Sequence, residues 1–467
     1  MKFDFDVAII GGGSGGYAAA KITANAGLKT VVIEGGKEVG GLCILRGCMP
    51  TKALLYMAEV AHMVKHADPF GVHAGKVTFN FKKAMARKDW FVKDFAHCRT
   101  NQLEHNKFKF IRALARFSDP HTLELKAVEK KARVPARITA KYFVIATGST
   151  VVPGSLCESA DLECLTSDTA LSLKKLPKSM IVLGGGPTAC EFAQFFSRFG
   201  VRVTLIQRSP HVLGDFDSDG TTVMENVFRR EGIKVFTDTK LLDAKRKGKN
   251  KTVFFEHNGK KTSATAEEVL FALGRIPNTA PLNLEKAGVK TTEHGNIIAN
   301  KFMQTSAPHI FTAGDCTGPH EIVHIAIHQG EVSGRNIVKH KRVSTDYSLL
   351  VSVVFTEPQL AYVGLTEKEA KAKKIPYVAA SHPFNDHGKS LIMNALDGFV
   401  KLLANPRTGE IIGGQCTGPQ GGELIHQIVA AMAKRMTVHE LAVMPHYHPT
   451  LAEIWTYPAE ELAEKIT

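Results

Sequence analysis

The sequence predicts an α/β chain made of two parallel-sheet nucleotide-binding domains and a C-terminal α+β domain. Three observations carry this. A strand, a glycine turn, a helix, a second strand and an acid follow one another up to Glu34. The same order returns from Met180. Beyond about residue 346 the glycine turns stop, and the apolar runs alternate like antiparallel strands.

The bulk properties set the frame. A length of 467 residues exceeds one typical domain. Hydrophobic residues at 44% and charged residues at 22% exclude a disordered chain, a collagen and a coiled coil. No stretch approaches the roughly 20 apolar residues of a membrane span. The N-terminus enters a strand at once, without a basic and then apolar leader. The expectation is a cytoplasmic protein with no membrane partner. Lys+Arg 59 against Asp+Glu 45 gives +14, which favours acidic or phosphorylated partners. It is no sign of nucleic-acid binding, because the basic residues concentrate at 126–141 and 240–261, which read as solvated hairpin faces. Eight cysteines in a reducing cytosol should be mostly buried thiols.

Asp6-Val-Ala-Ile-Ile10 reads as a buried parallel strand. Gly11, Gly13 and Gly16 then form G-x-G-x-x-G, a helix runs from Tyr17 to Ala26, and Thr30–Ile33 leads to Glu34. The first glycine permits the tight turn, the second lets backbone approach a pyrophosphate, and the third lets helix and strand pack. The helix N-terminus faces the phosphates, and Glu34 accepts from a ribose hydroxyl.

The second unit repeats this with the strand Met180–Leu183, Gly184 and Gly186, alanine at the third position (Ala189), and a helix from Cys190 to Phe199. Two such Rossmann-like units imply two dinucleotides, and an enzyme that passes electrons between them. Gly11 to Glu34 is 23 positions, and 184 + 23 falls on Gln207, followed by Arg208. An uncharged amide and an arginine lean towards a 2′-phosphate, hence NADP over NAD. The alternative is that Arg208 is a solvated strand end.

Further strands close at Gly148 and Gly274, each marking a crossing between domains. Ile310-Phe-Thr-Ala-Gly-Asp315 brings a carboxylate to the end of a strand, placed for a ligand hydroxyl or for capping the next helix. From Val351 to Gln415 lie apolar strand-like runs, and Glu423–Arg435 is an amphipathic helix. A sheet domain without a nucleotide motif is a natural dimerisation surface.

The chemistry lies just past Glu34. Cys43 and Cys48 are spaced to close a small disulfide ring eased by Gly47, and Pro50 suits the first turn of the following helix. The positive end of that helix favours a Cys48 thiolate. Such a pair beside a nucleotide site reads as a redox dithiol, with a metal pair or two buried thiols as alternatives. Near the C-terminus, His448 and Glu453 can supply a base and the carboxylate that orients it. His439 and His446 compete for that role.

These motifs, in order, resemble the flavin-dependent pyridine nucleotide–disulfide oxidoreductases: Gly11–Gly16, Cys43–Cys48, Ala146-Thr-Gly148, Gly184–Glu191, Gly274-Arg-Ile-Pro-Asn278, Thr305–Asp315 and His448-Pro-Thr-Leu-Ala-Glu453. The resemblance spans the whole chain. It implies an FAD-binding domain at 1–150 and 275–345, an NAD(P)-binding domain at 151–274 and a dimerisation domain at 346–467. It implies an FAD site at Gly11, Gly13, Gly16, Glu34 and Asp315, with Lys52 near the flavin and Glu191 as its partner. Val323 to Ala326 should lie by the flavin ring. Gly184, Gly186, Gln207 and Arg208 belong to the second nucleotide unit, Ala115, Thr147, Gly148, Gly274 and Arg275 are further cofactor-binding candidates, and no metal is expected.

The resemblance further implies that Cys43 meets the substrate, that Cys48 faces the flavin, and that His448 and Glu453 come from the other subunit of a homodimer. The substrate is then a dithiol or disulfide, on an acidic lipoyl-type carrier if the charge selects the partner. The His446–Glu453 run is most similar to the dihydrolipoamide dehydrogenase branch, and the chain lacks the terminal cysteine pair of mercuric reductases. Leu45-Arg46 and Gln207 depart from the dihydrolipoamide dehydrogenase pattern. An NADPH-driven disulfide reductase and a flavoprotein redox sensor remain the alternatives.

Overall fold

The computed structural model describes residues 2–130, 132–151, 154–159, 161–338 and 342–466. It divides into two compact units. One joins Met1–Ala53, Met85–Val152 and Gly274–Asp346; the other joins Leu54–Ala84, Pro153–Leu273 and Tyr347–Thr467.

In the first unit the strands Phe5–Ile10, Thr30–Glu34, Arg137–Ile145 and Ile310–Thr312 run parallel. The start of Lys109–Asp119 pairs in parallel with Thr30–Glu34. Farther along, that strand turns into an antiparallel ribbon with Thr122–Ala127. Val7, Ile9, Val32 and Val144 are fully buried, as central strands covered on both faces require. The helix Ser14–Asn25 covers one face and packs on the helix Val323–Val338. The two approach through small residues: a Cβ on Gly330 would stand 2.1 Å from the carbonyl oxygen of Gly15. The two crossings expected at 148 and 274 pair with one another, Ser149–Thr150 against Ile276–Pro277.

The second unit holds a five-stranded parallel sheet in the order Lys234–Phe236, Arg202–Ile206, Ser179–Leu183, Glu268–Phe271 and Leu165–Thr166. Beside it lies an antiparallel meander of Thr239–Lys247, Asn250–His257 and Lys260–Ala266, which carries the basic run at 240–261. The same unit contains the C-terminal antiparallel sheet, in the order Val351–Val354, Gln359–Gly364, Ile411–Gly418, Phe399–Ala404 and Val378–Pro383. The helices Gly421–Ala433 and Thr456–Lys465 cover it over a core of Leu402, Ile425, Ile428, Ile454 and Trp455.

One expectation about the cysteines is corrected: most were expected to be buried thiols, yet Cys157 and Cys164 form a disulfide. Cys43 and Cys48 lie together as the thiol pair their spacing implies. Cys190, Cys316 and Cys416 are the buried thiols anticipated, while Cys98 is exposed. The helix after the dithiol begins at Cys48 itself, so Pro50 is its third residue. No helix among the described residues is long and apolar enough to cross a membrane.

Candidate active site

The first glycine turn is shaped by contacts that only glycine allows. Gly11 has φ +108°, and a Cβ there would fall 2.2 Å from the Ala146 carbonyl oxygen. A Cβ on Gly16 would fall 1.9 Å from the Gly11 carbonyl oxygen. Glu34 accepts from the backbone N–H of Gly12 (2.8 Å) and of Gly36 (2.6 Å), which fixes the carboxylate at the mouth of the turn. Ala115 lies farther along the neighbouring strand, opposite Leu125.

At the same carboxyl end of the parallel strands a chain of polar groups forms. Arg275 Nε donates to Ser149 Oγ (2.8 Å), and Ser149 Oγ donates to Asp315 (2.7 Å). Thr147 Oγ1 is buried with no hydrogen-bond partner among the described residues, next to Gly148 at φ +68°. Gly314 N donates to Gln329 Oε1 (2.8 Å). Val323 opens the long helix, and Ala326 packs against Gly15.

The dithiol lies against this turn. Gly41 takes φ +70°, and its Cβ would stand 2.9 Å from Gly13 Cα, so the short helix Gly41–Leu45 rests on the glycine loop. Both thiols are partly buried. The hydrogen bond between the thiols pushes Cys43 well above the usual thiol range; burial and the Cys48 charge add to this, and Lys52 opposes it. Cys43 therefore keeps its proton while its neighbour stands at the positive end of the helix Cys48–Lys65.

Arg99, on the helix Phe81–Glu104, is a residue that sequence reasoning missed. Its guanidinium lies over the Tyr17 ring at 4.4 Å, and burial lowers its pKa. Its Nε and Nη1 are buried without a partner among the described residues. A lone arginine on an amphipathic helix carries no motif that could have flagged it.

The second turn repeats the first. Gly184 has φ +114°, and its Cβ would fall 2.4 Å from the Ala272 carbonyl oxygen. A Cβ on Gly185 would meet the Gln207 side chain at 2.8 Å, just as one on Gly12 would meet Glu34 at 3.2 Å. Gln207 thus stands where the first unit has its acid. Arg208 is exposed. Ala189 is fully buried. Glu191 is buried and accepts from Phe355 N at 3.0 Å.

The C-terminal histidines separate by their partners. His448 Nδ1 donates to Glu453 Oε2 at 3.0 Å, which leaves Nε2 free to accept a proton. His446 donates through Nδ1 to Met444 O and accepts at Nε2 from Gln427, and His439 donates to Ile466 O. Of these three, His448 is the one paired with a carboxylate. The other oxygen of Glu453 faces Thr450 N at 3.3 Å and Nε2 of the buried His387 at 3.5 Å. His387 was not anticipated either, because nothing in the local sequence links it to residue 453.

Two nucleotide cradles, one with a dithiol resting on it, define an oxidoreductase that moves electrons between a nucleotide and sulfur. The model of the family described as pyridine nucleotide-disulphide oxidoreductase matches residues 5–330, and that of its dimerisation domain matches residues 350–459. A dihydrolipoyl dehydrogenase of Chlamydia trachomatis is 35% identical over 461 residues, covering 98% of this chain and 97% of that protein. One from Thermus scotoductus is 36% identical with the same coverage. Among solved structures, LpdA from Mycobacterium tuberculosis superposes with a TM-score of 0.88 at 26% identity, covering 98% of this chain and 99% of that one. The HOCl-induced flavoprotein disulfide reductase RclA from Escherichia coli, in its Cu(II) complex, shares the fold with a TM-score of 0.86 at 24% identity, covering 99% of this chain and 100% of that one.

The chain belongs to the pyridine nucleotide-disulphide oxidoreductases. It is a flavin-dependent NAD(P) disulfide oxidoreductase whose dimerisation domain makes it a homodimer. The residues fit FAD: a backbone-only turn for a pyrophosphate, a fixed carboxylate for a ribose, and a buried hydroxyl in need of a partner.

Proposed function

We propose that this enzyme oxidises a small dithiol of the dihydrolipoyl type and passes the electrons to a pyridine nucleotide. The observation that carries this reading is the Cys43–Cys48 dithiol resting on the first glycine turn. The dihydrolipoyl dehydrogenases similar over nearly the whole chain support it.

With Cys43 and Cys48 oxidised, His448 Nε2 takes the proton of one substrate thiol. The thiolate attacks Cys43 Sγ, the sulfur–sulfur bond breaks, and Cys48 leaves as thiolate. The sulfur of the second substrate thiol attacks the substrate sulfur of the mixed disulfide and frees Cys43, which takes the proton of that second thiol while His448 keeps the first. The substrate ends as a disulfide and the enzyme as the dithiol. Cys48, at the start of the helix Cys48–Lys65, would face an FAD held at the first glycine turn, which would supply the chemistry that links the dithiol to the nucleotide. Glu453 holds His448 in the tautomer that leaves Nε2 as base, and the pair serves the dithiol of the other subunit.

Gly11, Gly13, Gly16, Glu34, Ala115, Thr147, Gly148, Asp315, Val323 and Ala326 hold FAD, with Lys52 beside the flavin. Gly184, Gly186, Gln207 and Arg208 serve the nucleotide. The missing acid at Gln207 gives NADP(H) a modest advantage and supports a second reading, an NADPH-driven disulfide reductase.

Steady-state turnover with dihydrolipoamide, and with NADPH plus small disulfides, separates the two readings. His448→Gln should lose roughly 10²–10⁴ in turnover and keep its FAD. Mixed dimers of the His448 and Cys43 variants should regain activity, and no recovery would place base and thiol in one chain. The net charge of +14 makes an acidic lipoyl-type carrier the better partner, with a rate that falls as salt is added.

A further inference from the structure

Behind the acid–base pair, on its buried side, stands a second histidine with a defined geometry. His387 is fully buried and precedes the short helix Gly388–Met393. Its Nδ1 lies 2.8 Å from Ser390 Oγ, and Ser390 is fully buried as well. Its Nε2 has no hydrogen-bond partner within the usual limit among the described residues and points at Glu453 Oε1, 3.5 Å away. The Tyr457 ring meets it edge-on at 6.2 Å, and His382 stacks flat on the same tyrosine at 4.0 Å.

These contacts select one tautomer. If Nδ1 carried the proton, the lone pair of Nε2 would face a carboxylate, which is repulsive. With Ser390 Oγ–H donating to Nδ1, the Nε2–H faces Glu453 and both ends are matched. Burial lowers the pKa of His387, with His382 and His448 acting in the same direction, against the opposing charge of Glu453. It therefore acts as a neutral donor. Glu453 is then gripped from both sides, by His448 on Oε2 and by Thr450 N and His387 on Oε1.

We propose that His387 is a positioning residue for the acid–base pair: through Ser390 and Glu453 it fixes the carboxylate and sets the pH at which His448 takes its proton. This rests on the reading of His448 as the base. A donor on Oε1 draws charge away from Oε2, so His448 holds its proton less tightly than it would beside an otherwise bare carboxylate. Removing the donor should therefore raise the His448 pKa and move the acid limb of the kcat/KM profile upward. One net hydrogen bond corresponds to a shift of about 0.4–1 pH unit.

The test uses the FAD-loaded dimer, with flavin content and thermal midpoint recorded for each variant. His387→Leu should lower kcat several-fold and shift the acid limb upward by that amount. His387→Gln keeps an N–H near the Nε2 position and should restore the wild-type limb. Ser390→Ala, which frees the tautomer, should give a smaller shift of the same sign and stands in for the leucine variant if that one fails to fold. An unshifted limb in the flavin-loaded His387→Leu or Ser390→Ala dimer overturns the proposal, as does a shifted limb in His387→Gln. His448→Gln should abolish the limb altogether. If the limb persists there, the acid–base reading itself fails, which is a different result from His387 having no effect.

Discussion

The two glycine turns share one backbone and differ in what surrounds it. Gly11 and Gly184 both sit at positive φ, each with a carbonyl oxygen too close for any side chain. The strand that follows ends in Glu34 in one unit, and in the other Gln207 comes directly after it. The middle glycines differ as well: a Cβ on Gly13 would stand 3.8 Å from Gly41 Cα of the dithiol segment, while one on Gly186 would meet nothing within 4 Å. The turn itself is thus a general cradle for a diphosphate. The residue at the strand end and the segment lying on the loop decide which nucleotide sits there and whether chemistry is done beside it.

The largest effects should come from removing the glycine that each turn cannot replace. Gly11→Ala and Gly184→Ala combine a disfavoured backbone with overpacking against a carbonyl, together roughly 2–5 kcal/mol. The first should purify with little flavin absorbance. The second should stay yellow and show a raised KM for pyridine nucleotide. The reverse pattern in absorbance and kinetics would break the assignment of the two cradles.

The strand-end residue comes next. Gln207→Glu with Arg208→Met should turn a preference for NADP(H) into one for NAD(H), by about 10- to 150-fold in kcat/KM, the equivalent of a charge-assisted bond of roughly 1.5–3 kcal/mol. Higher kcat/KM with NAD(H) in the unaltered enzyme would make Arg208 a solvated strand end.

The smallest effect sharpens the contrast at the middle glycines. Gly41→Ala places a methyl 2.9 Å from Gly13 at positive φ and should cost about 1–2 kcal/mol, seen as a lower thermal midpoint and slower turnover. Gly186→Ala meets open space on extended backbone and should leave the thermal midpoint unchanged. Equal losses at both positions would mean that the dithiol segment does not depend on its contact with the loop.

The sequence alone determined what is local and repeated. Strand, turn and helix at each cradle follow from apolar runs and glycine spacing, because those glycines satisfy constraints that lie within the turn itself. The equivalence of Glu34 and Gln207 came from counting residues, because a strand rises by a fixed length per residue. The Cys43–Cys48 spacing and the His448–Glu453 pair were legible for the same reason: few residues separate the partners. Tertiary structure decided what depends on residues distant in the chain. It gave His446 and His439 partners other than a carboxylate and left Glu453 to His448. It brought Arg99 to Tyr17 and His387 to Glu453. Side chains 66 or more positions apart meet only when sheets and helices have packed, and the packing is set by the summed burial of many apolar residues, which no local pattern records.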